Sequence, residues 1–134
     1  RERIHCPDMD ALEKQVLERL IHTTGDFSIQ NALNFSPNAC EIGIASLKAG
    51  APILTDTYMA SSAVKPMSLR TLNTEVHCML DWAPPHASLD QTRTVLGLEK
   101  AWQDLSSQFI NTQSPIVLFG SAPKALEFLL KLVI

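Results

Sequence analysis

Between residues 10 and 21 the apolar positions Leu12, Val16, Leu17 and Leu20 recur at helical spacing, with Glu13, Lys14 and Glu18 on the opposite side. This predicts a helix over Asp10–Ile21, with Asp10 and Glu13 as a capping box and Gly25 as its stop. A second helix is predicted from Ser36-Pro37, serine as cap and proline in the first turn, to Gly50. Its Ala39, Gly43 and Ser46 form a small-residue ridge suited to close packing on a sheet. Ala51–Thr57 reads as a short, largely apolar strand with its polar residues at the C-terminal end, and Met59–Leu72 as a linker with some helical character. Glu75–Leu80 is a second predicted strand, followed by the Pro84-Pro85 loop. Asp90 is expected to cap a long helix in which Val95, Leu98, Trp102, Leu105 and Phe109 keep a three-four rhythm. Asn111–Pro115 is a turn and Ile116–Phe119 a third strand. Gly120-Ser121-Ala122-Pro123 then leads into a last helix through Lys131, and Leu132-Val133-Ile134 reads as another strand beginning.

Short apolar strands alternating with amphipathic helices define an α/β fold, a parallel-type sheet with flanking helices. Ligands of such sheets bind beyond the carboxyl ends of the strands. Here that edge presents Thr55–Met59, Asp81–Trp82 and Gly120–Pro123, the last a glycine turn at a helix N-terminus and so a ready anion site. The 134 residues are one domain's length, and 46% hydrophobic residues suffice for a sizeable core. A net charge of −3 argues against nucleic acid as partner, and no apolar run approaches a membrane span, so a soluble protein is expected. Cys6, Cys40 and Cys78 stand alone at wide spacing, which suits reduced thiols in a cytoplasm-like compartment rather than a disulfide framework or zinc site. The chain opens at Arg1 without an initiator methionine, and with its apolar end is expected to be part of a longer one.

No dinucleotide glycine fingerprint, Walker lysine loop, nucleophile elbow or zincin motif occurs. His22 falls in the last turn of the first helix, where the dipole favours the protonated ring, and Asp26 nearby favours it further. Such a histidine can serve as a general acid or strong hydrogen-bond donor, or merely cap its own helix's carbonyls. His5, His77 and His86 lack ligand spacing and read as surface or strand residues. Asp56 is either a substrate contact or a cap for the next segment. Arg93, in the first turn of the long helix and against the dipole's preference, suits an anionic partner or a surface pair. Met59 reads as core or ligand contact, and Trp102 as core.

Several of these stretches are ordered as in a known family. Ile21-His-Thr-Thr-Gly-Asp26, Asn34-Phe-Ser-Pro37, Lys48-Ala-Gly-Ala-Pro-Ile-Leu-Thr-Asp-Thr-Tyr-Met59, Thr92-Arg-Thr94 and Phe119-Gly-Ser-Ala-Pro-Lys-Ala-Leu126 together resemble the precorrin-8X methylmutases (precorrin isomerases or cobalt-precorrin-8 methylmutases) of cobalamin biosynthesis. The resemblance implies a cytoplasmic, homodimeric α/β isomerase without cofactor or metal, moving one methyl group between adjacent carbons of a corrinoid macrocycle by a sigmatropic shift. The reaction would be precorrin-8X to hydrogenobyrinate, or cobalt-precorrin-8 to cobyrinate. It further implies that His22 protonates or hydrogen-bonds the macrocycle and that Arg93 contacts the substrate. Thr94, Asp56, Met59, Gly120 and Ser121 are expected to bind substrate with it, the carboxylates of the macrocycle suiting Arg93 and the Gly120-Ser121 amides. The alternative from another class is a non-catalytic corrinoid- or tetrapyrrole-binding module on the same fold; a generic anion- or nucleotide-binding domain using the Gly120 turn is weaker still. Residues 1–134 are expected to cover roughly two-thirds of a family domain, without its N-terminal start and glycine-rich C-terminal part. The sequence departs from the family pattern at Ala63, a glycine there, and at Val95-Leu96-Gly97-Leu98, a run of small residues there.

Overall fold

Six consecutive residues, Ala51 to Asp56, are buried, and the chain there forms the central strand β1, Ile53–Thr55. A strand with neighbours on both edges and helices on its faces meets no water, which explains its continuous apolar run rather than an alternating one. Parallel strands β2, Val76–Cys78, and β3, Ile116–Leu118, flank it in the order β2-β1-β3, so the α/β fold with a parallel sheet is borne out. Ile53 stands opposite Val76 on one side and Ile116 on the other. The computed structural model describes residues 8–108 and 114–134; His5, Cys6, Phe109 and Asn111 to Gln113 of the predicted turn lie outside the described residues.

The chain divides into two compact units, Arg1–Ile44 and Ala45–Ile134. In the first, helix α1 spans Ala11–Thr24. Its capping box is present: Asp10 Oδ1 accepts from the Leu12 and Glu13 amides at 2.7 and 2.9 Å, and Glu13 Oε2 accepts from the Asp10 amide at 3.1 Å. Gly25 ends it at φ 69°, a left-handed conformation that glycine takes without cost. Asp26 then caps a 3-10 turn, Phe27–Asn31. Helix α2 covers Ala39–Lys48, three residues later than the Ser36 start expected from sequence. Asn38 sits at φ 58°, and the Ser36 carbonyl accepts from the Ala39 amide at 3.1 Å, so Ser36 closes a turn before the helix instead of capping it. No residue of α2 is buried, and a Cβ on Gly43 would meet nothing within 4 Å, so the small-residue ridge makes no close packing among the described residues.

In the second unit, Met59–Leu72 is no linker but most of a full helix, α3, Tyr58–Thr71. Thr57 Oγ1 caps it by accepting from the Ala60 amide at 3.1 Å, and the helix runs on through the interior Pro66. The second predicted strand is shorter than Glu75–Leu80. After Cys78 the chain winds into a 3-10 turn, Met79–Trp82, against helix α4, Arg93–Gln108. Thr92 rather than Asp90 caps α4, its Oγ1 accepting from the Val95 amide at 3.3 Å. Helix α5, Pro123–Val133, takes in Leu132 and Val133 of the stretch that reads as a new strand, and its inward face is formed by Ala125, Phe128 and Leu129. The core gathers Leu54, Met79, Val95, Leu98, Ala101, Leu105 and Ala125, with Trp102 half-buried beside the stripe rather than within it.

Gly97 is where α4 meets the 3-10 turn. A Cβ there would land on the Met79 carbonyl and within 3.3 Å of the Ala83 methyl, so backbone must move to admit one. Gly97→Ala is therefore expected to destabilise the protein by ~1–3 kcal/mol, the usual penalty of overpacking, despite alanine's better helix propensity. Chemical denaturation of the two proteins measures it, and an equal or higher midpoint would contradict the contact.

Candidate active site

In the first unit, His22 is exposed on the last turn of α1 and lines a surface cavity of about 350 Å3 with Gln15, Glu18 and Arg19. These residues lie three or four apart and so share one face of the helix. The end of α1 leaves carbonyls in need of donors. Thr23 Oγ1 donates to the Arg19 carbonyl at 2.9 Å, Thr24 Oγ1 to that of Leu20 at 2.8 Å, and the Gly25 amide to that of Ile21 at 2.8 Å. The closing bond at this end is the one from the Gly25 amide, and among the described residues the His22 ring has no hydrogen-bond partner and caps nothing. Asp26 does not pair with it. Its Oδ1 accepts from the Ser28 amide at 2.8 Å, and the hydrogen bonds from Ser28, side chain first and backbone second, hold its carboxyl below the usual carboxylate range.

In the second unit, the carboxyl ends of the three strands gather the other candidates. Asp56, one residue beyond β1 and 1% exposed, turns its carboxylate across to the start of α5. Its Oδ2 accepts from the amides of Gly120, Ser121 and Ala122 at 2.9, 2.8 and 3.0 Å. The sequence offers those amides to a substrate anion; in the structure the anion they hold is the chain's own. Asp56 thus holds the turn between β3 and α5 rather than capping the segment that follows it. Asp56 Oδ1 is buried with no hydrogen-bond partner among the described residues. Gly120 and Ser121 stay exposed and, with Phe119, Ala122, Pro123 and Leu126, line a surface cavity of about 290 Å3.

At the end of β1 the first turn of α3 carries Met59, 84% exposed and so not core, and Tyr58, 54% exposed. The Tyr58 hydroxyl donates to Asp81 Oδ1 at 2.9 Å. That bond chiefly, with partial burial and the negative charges of Asp81 and Cys78, raises the phenol above its ordinary pKa, while the charge of Arg93 works the other way. Arg93 is exposed at the start of α4, and its Nε donates to the Pro84 carbonyl at 2.8 Å. The anchoring is therefore to backbone, which leaves the two terminal nitrogens of the guanidinium for an anion. Thr94, next in the helix, is half-buried. Tyr58 and Asp81 are functional candidates that sequence does not single out. The only signal for them is their position in the segments at the strand ends.

Among the described residues no three of His, Cys, Asp and Glu come together to hold a metal ion, and no helix is long and apolar enough to cross a membrane. Cys40 and Cys78 are free thiols, and burial is the main cause that pushes both up in pKa. His77 pairs with Glu75 at 3.1 Å, away from any such cluster.

A parallel α/β sheet with polar and charged groups collected at its carboxyl edge is the frame of a ligand-binding or catalytic domain. A family model described as precorrin-8X methylmutase matches residues 1–134, and the chain belongs to that family. It is 31% identical over 124 residues to the cobalt-precorrin-8 methylmutase of Leptospira interrogans, covering 90% of this chain and 54% of that protein. To the precorrin-8X methylmutase of Pseudomonas aeruginosa it is 35% identical over 125 residues, covering 91% and 56%. The crystal structure of precorrin-8X methylmutase from Thermus thermophilus superposes with a TM-score of 0.76 at 30% identity, over 94% of this chain and 59% of that one. The chain thus spans little more than half the length of these relatives.

Proposed function

We propose that the protein is an isomerase of cobalamin biosynthesis that shifts one methyl group between adjacent carbons of a corrinoid macrocycle, as precorrin-8X to hydrogenobyrinate or cobalt-precorrin-8 to cobyrinate. Membership of the methylmutase family over all 134 residues is the observation that carries this reading. In it residues 1–134 are part of a methylmutase domain working in the cytoplasm as a homodimer. His22 is the acid or strong hydrogen-bond donor toward the macrocycle, a role supported by a ring left without an internal partner at a helix C-terminus. Arg93 takes a peripheral carboxylate. Met59, Thr94 and the exposed Gly120-Ser121 turn line the substrate, and Asp56 acts through the turn it holds. The methyl shift alters the conjugated system, so ultraviolet-visible spectroscopy of the full-length protein with each substrate macrocycle tests the proposal. Binding without spectral conversion would favour the non-catalytic module, and no binding of either macrocycle would refute both.

Arg93→Ala is expected to weaken product binding by about tenfold or more, since a hydrogen-bonded charged contact contributes ~1.5–3 kcal/mol. The melting temperature should change little, because the lost bond to Pro84 is at an exposed residue. Titration calorimetry and thermal melts separate the two effects, and lost stability with unchanged affinity would make Arg93 a structural residue.

A further inference from the structure

Tyr58 has no counterpart among the candidate residues that the sequence supplies, yet its placement at the strand-end edge is specific. Its ring stands 54% exposed on the first turn of α3, and the adjoining Met59 side chain is 84% exposed. A large apolar surface at that place costs free energy in water, and exposed clusters of this kind mark contact sites. The ring is nonetheless anchored, because its hydroxyl donates to Asp81 Oδ1 at 2.9 Å, joining the end of β1 to the turn after β2. Arg93 lies near enough for its charge to act on the phenol. The edge therefore offers an exposed aromatic ring tethered by its hydroxyl, an exposed thioether on the next residue and a cation whose charge reaches the phenol. The ligand that complements this set is broad and apolar on its face and anionic at its periphery. Aromatic and thioether groups pack on such a face, and the guanidinium pairs with the carboxylates.

We propose that Tyr58, anchored by Asp81, is a specificity-determining contact that packs its ring with Met59 against the face of the corrinoid macrocycle while Arg93 engages a peripheral carboxylate. This rests on the corrinoid reading above. Asp81 in this arrangement is a positioning residue, acting on the ligand through the tyrosine.

Tyr58 is the single tyrosine among these 134 residues, and its resonance is assigned by its loss in Tyr58→Phe. In the full-length protein labelled at the tyrosine Cζ, addition of hydrogenobyrinate or cobyrinate should shift the Tyr58 Cζ resonance. Binding titrations should show roughly tenfold weaker affinity for Tyr58→Ala, with a smaller loss for Tyr58→Phe, which keeps the ring and loses only the tether. Asp81→Asn should bring the phenol's titration midpoint back toward the ordinary ~10 and resemble Tyr58→Phe in affinity. A macrocycle that binds the wild type without moving the Cζ resonance overturns the Tyr58 contact and leaves the corrinoid reading standing, whatever the variants do. Unchanged affinity in a folded Tyr58→Ala does the same. Failure of both macrocycles to bind the wild type overturns the corrinoid reading and the contact together.

Discussion

Replacing His22 by alanine is expected to lower turnover of the full-length protein by ~10²–10⁴-fold, the usual contribution of a positioned acid, while the fold survives. The structural half of that expectation follows from how α1 ends. The Gly25 amide closes the helix on the Ile21 carbonyl, and among the described residues the His22 ring bonds none of the end carbonyls, so no cap is lost with the imidazole. The residue is exposed, and alanine is the better helix former, so the melting temperature should hold to within a few degrees. The two measurements, steady-state turnover by the spectral change and a thermal melt, separate chemistry from stability. A wild-type rate at pH 7 would remove His22 from the mechanism. Loss of the folded state would mean that the ring supports the helix after all.

Asp56→Ala should have the opposite profile, a large loss of stability. The substitution strips the ionic acceptor from three amides at once and leaves them at a helix start beneath an exposed turn. Each hydrogen bond to a charged group contributes ~1.5–3 kcal/mol in isolation. The three share one oxygen and do not add fully, so a cost of about 3–5 kcal/mol is expected, comparable to breaking a buried charge pair. The melting point should fall by roughly 10 °C or more. Asp56→Asn, which keeps an acceptor oxygen of the same shape without the charge, should recover part of it. A denaturation midpoint unchanged in Asp56→Ala would show that the turn at Gly120 holds itself.

Part of what is encoded within a few residues was legible in the sequence, though the caps expected of Ser36 and Asp90 are not made. The capping box of Asp10 and Glu13 and the stop at Gly25 need only neighbours three or four positions away, and both appear as expected. The strand-helix alternation likewise pointed to the parallel sheet. The larger misses have long-range or compensating causes. Helix α3 was obscured by Pro66 and its weak apolar stripe, and its start rests on the single hydroxyl of Thr57. The strand after Glu75 breaks into a 3-10 turn where Gly97 of α4 meets the Met79 carbonyl, a contact invisible to alternation of apolar residues. In the candidate site, the strand-end position of Asp56, Met59 and Gly120 was readable. The bond from Asp56 to amides 64 to 66 residues away, and the Tyr58–Asp81 bond across 23 residues, were not.

The bond between Asp56 and the Gly120 turn also bears on the order in which the chain assembles. Its two ends are 64 residues apart and meet only once β3 has aligned on β1. Closing so long a loop costs entropy before any contact offsets it, so non-local pairings of this kind form late. Until then the amides of Gly120, Ser121 and Ala122, just ahead of α5, have no acceptor from Asp56, and the turn leading into the last helix stays unfixed. The carboxylate thus acts as a latch on the register of the central strand: a slip by one residue would carry Asp56 to the other face of the sheet, and the turn would lose its anion.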